Sequence, residues 1–310
     1  MPADPTTVVA EHISAFDGEN PDLTRIVATP SGLDAAGMME ALNDPRLTEP
    51  GRQPIALQMM CDWMAPEGSI YFDSIYGDNR GQSAIRNWLL PVMATIDFIE
   101  FVPTGDGVLF DDGQGGTSLD EWQMFVNLDD LHLPLSRGVS VRRYREGWIT
   151  WSCDVYDTGP FRLPPPPGAE VDVEAEPLPD WPRTVWEREA GRADIVMSER
   201  DPDVAADRFH PTDSVYHDPR AGELHGRDAI RDWMRDALPA TAGSVFEPLG
   251  PRLDDGNTAI QEWQQMRVGA GGSRSFVTRG TSVRRSVAGV VTYAADYYDT
   301  ASIDGGATAT

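Results

Sequence analysis

The stretch Arg279-Gly280-Thr281-Ser282-Val283-Arg284-Arg285, followed by Ala295-Asp296-Tyr297-Tyr298-Asp299-Thr300, decides how this chain is read, because nearly the same text stands earlier. Arg137-Gly138-Val139-Ser140-Val141-Arg142-Arg143 leads to Cys153-Asp154-Val155-Tyr156-Asp157-Thr158 at an offset of about 142. Working outward, Ser69-Ile70-Tyr71-Phe72-Asp73 stands opposite Ser214-Val215-Tyr216-His217-Asp218. Gly81-Gln82-Ser83-Ala84-Ile85-Arg86-Asn87-Trp88 falls on Gly226-Arg227-Asp228-Ala229-Ile230-Arg231-Asp232-Trp233, and Glu121-Trp122-Gln123 on Glu262-Trp263-Gln264. The blocks keep one order in both halves. So long a period excludes a solenoid and gives each copy room for its own core.

Composition agrees with a pair. The 310 residues are 40% hydrophobic with nine tryptophans, enough to fill two cores. No long apolar run is present, and Met1-Pro2-Ala3-Asp4-Pro5 has neither a basic nor an apolar leader pattern, so the expectation is a soluble, cytoplasmic protein. A formal charge of −25 repels nucleic acid and anionic membrane and favours a neutral or cationic small molecule as partner. Cys61 and Cys153, the only cysteines, stand at non-corresponding places, and no Cys or His cluster has metal-ligand spacing. Neither a metal nor a disulfide framework is expected. Lysine is absent, which removes Schiff-base chemistry and the Walker-type phosphate loop.

Along the chain, residues 1–30 read as an arm without sustained period, and 31–43 (capped by Ser31) and 55–64 as helices, the second halted by Ala65-Pro66. Then come a strand at 69–73, a helix at 81–93, short strands at 98–103 and 108–110, a turn at Asp111-Asp112-Gly113 and a strand at 119–128. Residues 134–145 and 148–156 form a hairpin around Glu146-Gly147. The proline-rich acidic segment 161–181 is a linker between domains at 31–160 and 182–301, and 302–310 is a tail. The second copy repeats the scheme: helices at 182–198, 204–209 and 226–237, strands at 214–218, 246–249, 259–268, 275–285 and 290–298. Helices followed by an antiparallel meander predict an α+β fold.

Alternation along the last strand sorts its side chains. Ile149, Trp151, Cys153 and Val155 share one face, as do Val291, Tyr293, Ala295 and Tyr297; this apolar set is expected to pack against the sister copy. Thr150, Ser152, Asp154 and Tyr156, and likewise Thr292, Ala294, Asp296 and Tyr298, are expected to point beneath the helices into a concave pocket. There Asp154 and Asp296 would act as general acid or base. Tyr71 with Asp73, and Tyr216 with Asp218, share a face of the earlier strand, where they would hold a substrate oxygen or orient the first carboxylate. The bland alternative for Asp154 and Asp296 is a strand-end aspartate bonding a backbone N–H.

These blocks, in this order twice over, resemble the SnoaL-like branch of the nuclear transport factor 2-like superfamily. The resemblance implies two tandem cone-shaped domains, each a curved antiparallel sheet covered by helices. Relatives commonly dimerise through the outer sheet face, so this chain would be an intramolecular pseudo-dimer, a pairing that a monomeric chain would satisfy. The branch includes polyketide cyclases, limonene-type epoxide hydrolases, ketosteroid isomerase and dehydratases, which work by acid–base chemistry without cofactor. The cyclase aspartate, first of a terminal Asp-x-x-Asp, falls on Asp154 and Asp296. The hydrolase Tyr-x-Asn falls on Tyr71 to Asp73 and Tyr216 to Asp218, with Asp replacing Asn. Its Arg-x-Asp falls on Trp122 to Met124 and Trp263 to Gln265, so the charged group is missing, and the cyclase histidine falls on Ser140 and Ser282.

Trp88, Trp122, Trp233 and Trp263 read as core or pocket wall, and with Gln265, Ser140, Ser282, Tyr156 and Tyr298 they complete the expected substrate contacts. Asp157 and Asp299 read as structural, His217 as pointing away from the pocket, and the arginine pairs as neutralising nearby carboxylates. The function read from this pattern is a cofactor-independent cyclase, isomerase, dehydratase or hydrolase acting on a hydrophobic oxygenated small molecule, such as a polyketide or a terpenoid or steroid-type intermediate. The alternatives are a non-catalytic small-molecule-binding or scaffold protein, and a pair fused for partner binding.

Overall fold

A computed structural model describes residues 35–42, 53–93, 98–111, 115–128, 131–161 and 201–305. The first copy opens with α1 (Ala35–Leu42) and α2 (Gln53–Trp63); α2 stops short of Pro66 because the residue before a proline is pushed out of the helical region. β1 (Ile70–Asp73), β2 (Gly77–Arg80) and α3 (Gln82–Met93) follow. Next come β3 (Ile99–Pro103), β4 (Val108–Phe110), β5 (Gly116–Leu128), β6 (Leu131–Arg145) and β7 (Trp148–Tyr156). In the second copy α4 (Pro202–Ala206), β8 (Val215–Asp218), β9 (Gly222–His225) and α5 (Arg227–Ala240) precede β10 (Ser244–Pro248) and β11 (Leu253–Asp254). β12 (Thr258–Val268), β13 (Arg274–Val287), β14 (Val290–Tyr298) and α6 (Thr300–Gly305) complete it. The chain divides into two compact units, Met1–Asp154 and Val155–Thr310.

Each copy builds one seven-stranded sheet of the same order, β2-β1-β7-β6-β5-β3 with β4 on β5, and β9-β8-β14-β13-β12-β10 with β11 on β12. The fold is α+β, two tandem sheet-rich domains, but the expectation of an all-antiparallel sheet is corrected. β1 runs parallel to β7, setting Tyr71 beside Ser152 and Asp73 beside Asp154, and β8 runs parallel to β14. Parallel neighbours need a long connection, and a helix and five strands supply it between β1 and β7. β2 and β9 escaped the sequence reading because Gly77-Asp78-Asn79-Arg80 and Gly222-Glu223-Leu224-His225 carry no apolar alternation. They are edge strands, where polar and charged side chains protect the open edge. The arm 1–30, Ser31, residues 162–181 of the linker, the helix at 182–198 and Asp112-Gly113 lie outside the described residues. The tail is corrected in part, since its start belongs to α6.

The repeated sequence blocks have structural causes. Glu146-Gly147 and Ala288-Gly289 take positive φ at both positions, 52° and 79°, then 53° and 79°, the hairpin geometry that matches strand twist. Gly138 and Gly280 pair across the sheet with Trp122 and Trp263, and a Cβ at either glycine would overlap the indole. Each indole lies over its glycine and donates Nε1–H to a serine two residues on, Trp122 to Ser140 and Trp263 to Ser282, both at 3.0 Å. Arg-Gly-x-Ser and Glu-Trp are therefore two halves of one packing device.

The face assignment of the last strand needs one correction. Arg285 pairs with Tyr293 but Ser286 with Val291, so Thr292 is an extra residue, a β-bulge. A bulge reverses the alternation, and Val291 joins the helix-side core with Ala205, Phe209, Tyr216, Ile230 and Met234 instead of the face of Tyr293 and Tyr297. Ile149 likewise packs with Met59, Trp63, Tyr71 and Ile85. Beyond the bulge the expected parity holds as far as Asp154 and Asp296.

Candidate active site

In both copies the tyrosine of the early strand reaches the aspartate of the last. Tyr71 donates its hydroxyl to Asp154 Oδ2, and Tyr216 to Asp296 Oδ2. The parallel register creates these pairs, and no hydrophobic pattern could announce them. Burial and the neighbouring carboxylates push both phenols well above the usual tyrosine range, so they remain donors. Trp88 stands edge-on to Tyr71 at 5.3 Å, and Trp233 tilts against Tyr216 at 5.1 Å.

In the second copy Asp296 is 3% exposed and has both oxygens engaged. Its Oδ1 accepts from Ser282 Oγ at 2.6 Å and from Arg284 Nη2 at 2.8 Å. Arg284, also buried, spends its other terminal nitrogen on the carbonyls of Val283 and Ala295. Asp218 binds Tyr298, whose hydroxyl donates to Oδ2 at 2.9 Å, while Oδ1 accepts the N–H groups of Arg220 and Ala221. Burial first, and the nearby Asp296 charge after it, raise the Asp218 carboxyl to about 6 against the lowering effect of its hydrogen bonds. Burial and the facing Asp218 carboxylate likewise raise the Tyr298 phenol.

The first copy differs at the same places. Asp73 Oδ1 again caps a turn, accepting from Ile75 and Tyr76 at 2.8 and 3.1 Å, so the strand-end role belongs to Asp73 and Asp218. Asp154 takes its hydrogen bond from Tyr71, and its buried Oδ1 has no partner among the described residues. Three further buried polar atoms near Tyr71 share that condition: Ser152 Oγ beside it in register, Trp88 Nε1 against its ring, and Trp63 Nε1 in the same core cluster. Arg142, the counterpart of Arg284, turns to Asp120 at 3.1 Å. Asp120 was missed in the sequence; its only signal is that Gln261 stands at the equivalent position.

The remaining expected contacts are placed as follows. Ser140 and Ser282 accept from the tryptophans, and Gln265 donates to Ser244 Oγ at 2.9 Å, away from the aspartates. Tyr156 is buried and follows Asp154 at the end of β7. Asp157 and Asp299 accept local backbone N–H groups from Gly159 and from Ala301 and Ser302. The His217 ring lies 5.9 Å from Tyr297, on the opposite face from Tyr216. Arg143 and Arg285 stack over Trp151 and Tyr293 at 5.0 and 4.7 Å, the faces their alternation predicts. Among the described residues no group of three or more His, Cys, Asp or Glu could hold a metal, and no helix is long and apolar enough to cross a membrane.

Residues 193–294 match the family described as "SnoaL-like domain", and the first copy repeats the same sheet. No curated protein matches the chain. Among solved structures it is similar to an NTF2-like protein of unknown function from Cytophaga hutchinsonii, 16% identical over 37% of this chain and 97% of that one, TM-score 0.28. A candidate SnoaL-like polyketide cyclase from Shewanella putrefaciens is 17% identical over 37% of this chain and 80% of its own, TM-score 0.31. A hypothetical protein with a ketosteroid isomerase-like fold from Catenulispora acidiphila, complexed with trimethylamine, is 18% identical over 40% and 91%, TM-score 0.28.

Proposed function

We propose that the chain is a cofactor-independent acid–base enzyme of the cyclase, isomerase, dehydratase or hydrolase kind. Its substrate is a hydrophobic oxygenated small molecule, such as a polyketide or a terpenoid or steroid-type intermediate. The observation that carries this reading is the set of unpartnered buried polar atoms around Tyr71: one acceptor, Asp154 Oδ1, and the donors Ser152 Oγ, Trp88 Nε1 and Trp63 Nε1. Each such atom costs about 1–3 kcal/mol when left unmade, a cost that an oxygen-bearing ligand would relieve. Asp154 Oδ1 takes or delivers the proton, Tyr71 fixes the carboxylate through its other oxygen, the donors hold a substrate oxygen, and the aromatic walls exclude water. The same proposal takes the two copies as an intramolecular pseudo-dimer in the cytoplasm; a sedimentation mass of one chain supports it, and a mass of two chains counts against it.

Ring opening of a nitrobenzisoxazole tests the chemistry without the natural substrate. One carbon-bound proton passes to the carboxylate, the ring N–O bond breaks, and a coloured cyanophenolate leaves. Asp154→Asn should lower kcat/KM by about 100-fold or more, the usual contribution of a general base. Equal turnover in parent and variant refutes the reading. Binding of such ligands without any turnover would favour the non-catalytic alternative.

A further inference from the structure

We infer that the two copies divide the work, and that the residue at position 120 in the first and 261 in the second decides which carboxylate is free to act. Asp120 is thus a positioning residue for Asp154. The inference rests on the acid–base reading and deepens it by assigning the activity to one copy.

Arg142 and Arg284 occupy equivalent places in β6 and β13, one strand from the two aspartates. Each guanidinium can serve only the acids within its reach. In the first copy Arg142 Nη1 donates to Asp120 Oδ2 at 3.1 Å, with both side chains mostly buried. Ser118 Oγ reaches the same oxygen at 3.4 Å, and Tyr144 OH lies 3.1 Å from Ser118 Oγ, so a small polar chain holds Asp120 where it is. The equivalent residues in the second copy are Ala259, Gln261 and Ser286, none of them an acid. The Gln261 amide donates instead to the carbonyls of Gly250 and Glu262. With glutamine and not an acid at position 261, Arg284 closes on Asp296 at 2.8 Å, and Ser282 adds a second bond to that oxygen.

The consequence is chemical. A base needs a lone pair turned toward the substrate proton. Asp296 has Oδ1 filled by Arg284 and Ser282 and Oδ2 held by Tyr216, so that Oδ1 would have to break one of its bonds, the first of them charge-assisted, before taking a proton. Asp154 has Oδ1 clear among the described residues. Burial works against the charge of Arg142, but the Asp154 and Asp120 carboxylates outweigh it and favour the protonated form, so Arg142 supplies positive potential without a hydrogen bond to the reacting oxygen. Asp120 therefore keeps the first carboxylate available, and Gln261 lets the second be locked.

The test uses the full chain and nitrobenzisoxazole turnover. Asp120→Gln should lower kcat at least about tenfold with KM within about twofold, and Asp120→Glu should recover most of the loss, because an acid at this position is what matters. Gln261→Asp placed in an Asp154→Asn background should raise kcat at least about tenfold over that background, a gain that misfolding cannot produce. Unchanged kcat in Asp120→Gln, or no gain from Gln261→Asp, overturns the inference. Loss of dependence on both Asp154 and Asp296, with the double Asn variant matching the parent, instead overturns the acid–base reading. A crystal structure of Asp120→Gln is the readout that needs no turnover: Arg142 should move onto Asp154 Oδ1 as Arg284 sits on Asp296, and an unmoved Arg142 sinks the proposal.

Discussion

Asp218→Asn isolates the electrostatics of the second copy. The Asp218 carboxyl is buried, caps the turn after β8 through Oδ1, and is raised from the ordinary 3.8 to about 6. An acid raised on folding holds its proton more tightly in the native state, so its contribution to stability is full below the ordinary carboxylate range. That contribution is lost as pH rises toward the folded value. The complete loss is about 3 kcal/mol, of which roughly 1.4 kcal/mol falls between about pH 5 and about pH 8. The asparagine variant keeps an oxygen for the Arg220 and Ala221 amides and an amide facing Tyr298, yet cannot ionise. Its stability relative to the parent should therefore climb by that amount across the same interval and level off above it. Urea unfolding read by hydrogen exchange at the Tyr216 and His217 amides measures this for the second unit alone. A difference between variant and parent that does not change with pH would refute the account.

Further outcomes follow from the same geometry. Gly280→Ala should destabilise the second unit by about 1–3 kcal/mol, since its Cβ would overlap the Trp263 indole; denaturant midpoints read it. Asp296→Asn strands the buried Arg284 and should cost about 3 kcal/mol or more, whereas Asp154→Asn leaves Arg142 paired to Asp120 and should cost about 1 kcal/mol or less; parallel melts compare them. Burial pushes the Cys61 thiol up to about 12, so a thiolate-selective maleimide at about pH 8 should leave Cys61 unlabelled in the native protein and label it in urea.

Much of this molecule is written locally. The duplicated blocks announce two copies, because an identical order of turns, strands and helices is repeated wherever identical packing demands recur. Gly280 with Trp263 and Gly138 with Trp122 are legible as motifs, since each pair satisfies one contact across neighbouring strands. The inward aspartates and the tyrosine two residues before each second acid were readable from strand alternation. Alternation also misled: one extra residue at Thr292 put Val291 on the helix side, where Ile149 of the first copy packs as well, and a bulge leaves no periodic trace.

What the sequence could not state is which groups meet across long separations. The parallel pairing that brings Tyr71 to Asp154 and Tyr216 to Asp296 depends on where a long connection returns the chain, and the polar edge strands β2 and β9 carry no pattern of their own. The choice of Arg142 for Asp120 and of Arg284 for Asp296 is a competition between acids on different strands. Residue order fixes the periodicity of each element because that depends on near neighbours. The tertiary structure alone decides how buried charges are shared, because Coulomb energy in a dry interior depends on distance through space and not along the chain.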